Sequence, residues 1–398
     1  MPPPTAEKAS VWNVFLIFLR LGLTSFGGPV AHLGYFRAEF VARRRWLSEA
    51  RYAELVALCQ FLPGPASSQV GMALGLGRAG HLGALAAWAG FTLPSALALI
   101  LLARGLEVYA GAVPAGVLHG LKLAVVAVVA QAVWGMSRSL CPDGPRAALA
   151  LVAAGAVLTL PGAPAQVGVI CIAGALGALR APGAPGPAHA GTALQGGGAG
   201  WRWLGVFFAL LAGLPVLAFW LPWQPLAMFD AFYRAGALVF GGGHVVLPLL
   251  ESAVVGTGWV SADTFLAGYG AAQAVPGPLF TFAAFLGAAS AGPAGGWPGG
   301  LLCVAAIFLP SFLLVAGVLP FWERLRAVPR AQGALRAVNA AVVGLLLAAF
   351  YDPVWSGAIH GVRDFCVALV ALAALQWGRV PPWLVVGACA LAGWVLTS

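Results

Sequence analysis

Two short stretches carry the chemistry open to this chain, and each occurs twice. Gln60-Phe61-Leu62-Pro63-Gly64-Pro65 lies inside an apolar run and returns as Gln273-Ala274-Val275-Pro276-Gly277-Pro278. Phe26-Gly27-Gly28-Pro29 returns as Phe240-Gly241-Gly242-Gly243. Prolines flanking a glycine remove backbone donors and clash with the preceding turn, so a continuous helix is costly there. Within lipid the freed backbone groups need protein or a water-lined cavity around them. Each run therefore predicts two half-helices meeting in an irregular turn. A half-helix N-terminus offers unpaired N–H groups and partial positive charge, which suit an anion. A simple proline kink for packing is the alternative. The glycine pairs can likewise expose N–H groups or merely let helices touch.

Several side chains add to these breaks. Arg20 and Arg234 occupy equivalent places in apolar runs. A guanidinium suits a tetrahedral dianion, but snorkelling to headgroups or pairing with a carboxylate such as Asp230 fits equally. Lys122 aligns with Asn339, so a cation there breaks the symmetry between the halves; a snorkelling lysine is the alternative. Gln60, Gln69 and Gln273 can bond substrate oxygens or bridge helices. His32, His244, Glu39, Glu54 and Glu251 are candidates for proton coupling.

Composition sets the solvent. Hydrophobic residues are 61% of the 398 positions and charged residues 8%, with mean hydropathy +0.91; a soluble domain carries about 25% charged residues. The chain is therefore solvated mostly by lipid. Its net charge of +9 lies in loops between apolar runs and is no nucleic-acid signal. The six cysteines form no CxxC pair and read as small buried hydrophobes. The N-terminus does not resemble a cleaved signal peptide. GxSxG, HExxH, Walker A and strand-to-helix GxGxxG motifs do not occur, so no enzyme activity and no cofactor are expected and an ion gradient is the default driver.

Apolar runs cover 11–35, 52–77, 82–103, 117–137, 147–160 and 166–179, then 203–221, 227–250, 264–289, 300–320, 334–350, 362–375 and 383–396. None alternates with period two, which argues against a β-barrel. The expectation is an all-α polytopic membrane protein of about ten to thirteen segments. Four repeated blocks keep their order: the arginine-glycine block, the Pro-Gly-Pro block, Leu93-Pro94-Ser95 with Leu309-Pro310-Ser311, and Ala124-Val125-Val126 with Ala341-Val342-Val343, at offsets of 213 to 217. An Ala/Gly/Pro linker at 181–200 separates repeats at 1–180 and 201–398. The loop at 37–51 is rich in arginine, its counterpart at 251–263 has no basic residue, and the bias reverses at 321–336. By the positive-inside rule equivalent loops then lie on opposite faces, the mark of an inverted repeat. For that parity one run must enter and leave on the same face, and the Pro-Gly-Pro run is the candidate. In such an architecture an anion site lies near the bilayer midplane between the halves, and one half rocks against the other.

At these residues the chain resembles the chromate ion transporter family in its long, two-domain form. The matching stretches include Phe26-Gly27-Gly28-Pro29, Gly34-Tyr35-Phe36-Arg37-Ala38-Glu39-Phe40-Val41, Trp46-Leu47, Gln60 through Gln69, Arg78-Ala79-Gly80 and Gly90-Phe91-Thr92-Leu93-Pro94-Ser95. The resemblance implies an inner-membrane exporter of chromate, coupled to the proton-motive force and competed by sulfate. It carries over Arg20, Phe26, Gly27, Gly28, Gln60, Pro63, Gly64, Pro65 and their second-half partners as family-typical positions. The second half departs from it, with Gly243 for a proline and no Ala-Ser-Ser-Gln after Pro-Gly-Pro. The expected partners are a chromate- or sulfate-like oxyanion, protons and the lipid bilayer. A homodimer is compatible with this; nucleic acid is not expected.

Overall fold

The computed structural model describes residues 10–109, 114–160, 162–180, 197–322, 325 and 328–397. Most of the linker and Glu323, Arg324 and Arg326, on which expectations above rested, lie outside them. Every predicted apolar run is helical, and no strand occurs among the described residues. The first run divides at 25–27 into α1 (Val11–Thr24) and α2 (Gly28–Phe36), which continues as a π-helical stretch over Arg37–Arg43. The second divides at Pro-Gly-Pro into α3 (Glu49–Phe61) and α4 (Ala66–Val108). Then come α5 (Ala115–Leu140), α6 (Gly144–Thr159), α7 (Ala163–Arg180) and α8 (Gly197–Trp220). In the second half α9 (Gln224–Leu238) and α10 (Val246–Val254) flank the glycine triplet, and α11 (Ala262–Ala272) and α12 (Phe282–Ala289) flank the second Pro-Gly-Pro. They are followed by α13 (Gly296–Val318), α14 (Pro329–Ala349), α15 (Val362–Gln376) and α16 (Pro382–Thr397). Six helices among the described residues are long and apolar enough to cross a bilayer, and several shorter apolar ones accompany them. The chain is an all-α polytopic membrane protein.

The broken runs fold back on themselves. Phe18 of α1 lies against Phe36 and Phe40, with ring centroids 5.6 and 5.1 Å apart. In one continuing helix Phe18 and Phe36 would stand about 27 Å apart. At the end of the first arm of α4, Arg78 donates to Trp46 O (2.9 Å), just ahead of α3. Ala291 N donates to Trp259 O (2.8 Å) at the same place in the second half. Phe285 of α12 packs on Gly268 of α11, residues on either side of the second Pro-Gly-Pro turn. Both proline runs are thus hairpins with Pro-Gly-Pro at the tip. A second reversal follows in α4 at Ala79-Gly80, where Gly80 takes φ +64°. It brings the arms so close that a methyl group on Gly75 would stand 2.2 Å from Gly83 O; Gly287 and Gly299 repeat that approach.

The halves also exchange helices. α5 packs on α15 and α16 of the second half, and α14 packs on α6 and α7 of the first. Methyl groups on Gly120 or Gly344 would stand 2.1 Å from Cys389 O and Ala150 O. Rigid rocking of one half against the other, expected from sequence, does not fit this interlocking. Among the described residues α8 has no counterpart in the first half. Its Phe208, Phe219 and Trp220 are exposed, as suits lipid.

Candidate functional site

Each Pro-Gly-Pro tip is held by the opposite half. Gly64 N–H donates to Val239 O (2.7 Å), immediately before Phe240-Gly241-Gly242. Gly277 N–H donates to Ser25 O (3.0 Å), immediately before Phe26-Gly27-Gly28. Both glycines are left-handed, at φ +117° and +103°. A methyl group on Gly64 would stand 2.5 Å from Ser311 Oγ, and one on Gly277 2.7 Å from Ser95 Oγ. The serines of the two Leu-Pro-Ser blocks therefore face the other half's tip. Gly243 lies against Pro29, so the glycine-rich breaks also meet. Four chain interruptions, two from each half, converge on one place.

On the first half's side the surroundings are polar and buried. His32 Nε2 lies 3.2 Å from Ser25 O, which can only accept, so this nitrogen carries the proton; Nδ1 then accepts from Ser67 Oγ at 3.4 Å. Ser25 O thus receives two donors. Gln69 Nε2 donates to Pro63 O (2.6 Å) and Ser311 Oγ (3.3 Å). Pro65 caps α4, whose first-turn N–H groups at 66–68 have no partner within the helix. Ser25 Oγ, Ser68 Oγ, Thr92 Oγ1 and Gln69 Oε1 are buried without a hydrogen-bond partner. This collection can bind an anion through backbone and hydroxyl donors.

Two of the predicted cations are paired with carboxylates. Arg234 is held by Asp230 through two bonds (Nε–Oδ1 3.0 Å and 2.6 Å to Oδ2), the carboxylate alternative raised from sequence. Lys122 pairs with Asp263 Oδ1 at 2.9 Å, at the start of α11. Arg20 and Gln60 project from exposed faces of α1 and α3. Gln273 Nε2 is buried beside Tyr269, and Phe26 packs towards Trp383. Among the proton-coupling candidates, His244 Nδ1 meets Tyr269 OH at 2.8 Å, Glu39 binds Arg43 and Arg44, and Glu54 lies 3.7 Å from Arg51. No cluster of three metal-ligating side chains occurs among the described residues. Sequence reasoning missed Ser25, Ser68 and Thr92 as site residues. It also missed Trp46-Leu47-Ser48 and Trp259-Val260-Ser261, a further repeated block whose serines cap α3 and α11.

The chromate transporter family profile matches the chain twice, over 12–178 and 226–394. The second match begins after α8. A chromate transport protein of Pseudomonas aeruginosa is 31% identical over 100% of this chain and 94% of its own length. A probable chromate transport protein of Synechococcus elongatus is 29% identical over 96% and 94%. An uncharacterised transporter of Bacillus subtilis is 31% identical over 42% of this chain and 96% of itself, so a single repeat makes up nearly all of that protein. No solved structure matches the chain.

Proposed function

This chain belongs to the chromate transporter family, and from that premise we propose that it exports chromate, or a sulfate-like tetrahedral oxyanion, across the bacterial inner membrane. The driver is the proton-motive force and the outcome is chromate resistance. The observation that carries this reading is the crossed pair of amide bonds, Gly64 to Val239 and Gly277 to Ser25. Backbone interrupted within apolar runs is pinned by the opposite half, which leaves a helix N-terminus facing polar side chains where a dehydrated anion can be held.

An inverted repeat follows from counting crossings in this reading. In the first half the two hairpins return to their own face, and the second arm of α4 with α5, α6 and α7 makes an even number of crossings. The unmatched α8 adds one, so the second half starts from the other face. Arg138, Arg146, Arg180, Arg202 and Arg330 then share a face with the arginine-rich loop at 37–51. Of the cations on the opposite face, Arg104 pairs with Glu107 and Arg363 sits beside Asp364. Because α5 and α14 are exchanged, the bodies that move in alternating access are the hairpin cluster and the exchanged helices, each drawn from both halves.

Everted vesicles containing the full chain test the reading. Chromate accumulates only with an inwardly acid pH gradient, and excess sulfate reduces its uptake. Chromate flux indifferent to the gradient, or absent, refutes it.

A further inference from the structure

We propose that the chain holds one oxyanion per molecule, against its first half, with the hydroxyls of Ser25, Ser68 and Thr92 donating to it beside the free N–H groups that open α4. The proposal rests on the oxyanion-transport reading and goes beyond it by naming the ligating groups and the number of sites. These side chains are 0%, 3% and 0% exposed, and none of their hydroxyls has a partner. A buried hydroxyl is costly unless it is bonded. A serine within a helix usually satisfies itself on the preceding turn, as Ser95 does on Thr92 O at 3.0 Å. Three unsatisfied hydroxyls on segments that meet at one crossing are best explained by a ligand that supplies the acceptors.

The carbonyls nearby are already occupied. Ser25 O takes Gly277 N–H and His32 Nε2–H, and Pro63 O takes the Gln69 amide. Donors are left over where acceptors are used up, which complements a fully deprotonated tetrahedral dianion. Gln69 Oε1 is the exception; as an acceptor it can hold a water beside the anion. Arg234 and Lys122 are spent on Asp230 and Asp263. Weak binding by neutral donors suits a carrier, which must also release its cargo.

The second half cannot make the same pocket. At the positions equivalent to Ser25, Ser67 and Thr92 it has Val239, Phe280 and Phe308. The Phe280 and Phe308 rings lie 6.0 Å apart, in the place that mirrors the polar cluster. Thr281, the counterpart of Ser68, spends its hydroxyl on Pro278 O at 2.7 Å. The fold is doubled and the ligating groups are not.

Equilibrium binding of radiolabelled chromate and sulfate to the detergent-purified full chain reads the site, and vesicle flux reads transport separately. The expected stoichiometry is one anion per chain. Ser25→Ala, Ser68→Ala and Thr92→Val each weaken binding and raise the KM for chromate about tenfold, the scale of a hydrogen bond to a charged group, at unchanged protein level. Thr281→Val leaves both within twofold. Lost binding in the three variants of a chain that shows no flux supports the site while removing the transport reading. The site assignment is overturned by two anions per chain, by wild-type affinity in the three variants, by an equal loss in Thr281→Val, or by a wild type that binds neither anion.

Discussion

Substituting Gly64 by alanine isolates the crossing from everything around it. Its φ of +117° is one that a Cβ disfavours by about 1–3 kcal/mol. The added methyl would also stand 2.5 Å from Ser311 Oγ and 2.7 Å from Gln69 Nε2. Moving the Gln69 amide breaks its bond to Pro63 O and leaves that carbonyl without a protein donor, a further loss of about 1–3 kcal/mol. The total, about 2–6 kcal/mol, is a large share of the 5–15 kcal/mol typical of a folded domain. Gly28→Ala is the matched control: φ is +75° and no atom lies within 4 Å of the new methyl, so only the backbone cost of about 1–2 kcal/mol remains. Thermal unfolding of the detergent-purified chain and chromate uptake in vesicles are the assays. Gly64→Ala should lose several degrees more than Gly28→Ala, and adding Ser311→Gly should recover part of the difference. Equal losses in the two single variants would refute the claim that the tip is sterically locked by the other half.

Other expectations concern packing and charge. Gly120→Ala puts a methyl 2.1 Å from Cys389 O and should lower the yield of folded protein far more than Gly135→Ala, which meets nothing within 4 Å; immunoblots of membranes measure it. Arg234→Gln leaves the nearly buried Asp230 without its counter-ion and should cost about 1–3 kcal/mol, which Asp230→Asn in the same chain should largely restore on thermal unfolding. In the π-helical stretch that continues α2, burial raises the pKa of Glu39 but bonds from Arg44 and Arg43 outweigh it, so the net shift is below its usual 4.5. Its contribution to stability is therefore full above that value and fades as pH falls through the lowered one. Glu39→Gln should flatten the acid limb of the stability profile and leave the neutral limb parallel to wild type.

The breaks were legible because Pro63-Gly64-Pro65 and its repeat contradict the apolar helices around them, and a violation at equivalent places twice over is a strong local signal. The angle at each break was not legible. Phe18 read as part of the apolar run at 11–35 and Phe40 as part of the loop at 37–51, and only their stacking shows that α2 turns back. The Arg234 partner was visible four residues upstream, at helical spacing. The Lys122–Asp263 contact joins residues from different halves and no local pattern predicts it. Ser25, Ser68 and Thr92 were hidden for another reason: a hydroxyl in an apolar run normally bonds its own helix, and sequence cannot reveal which ones do not.

The exchange of α5 and α14 has a consequence for how the chain is made. Gly116 and Gly120, synthesised early, touch Gly393 and Cys389 of α16, near the end of the described chain. The groove on α5 must stay open in the bilayer while the intervening helices emerge from the ribosome, and its seal arrives only with α16. A nascent chain stopped short of α16 would expose glycine-lined backbone deep in its first half. Quality control can therefore recognise a late truncation through damage at a segment inserted long before.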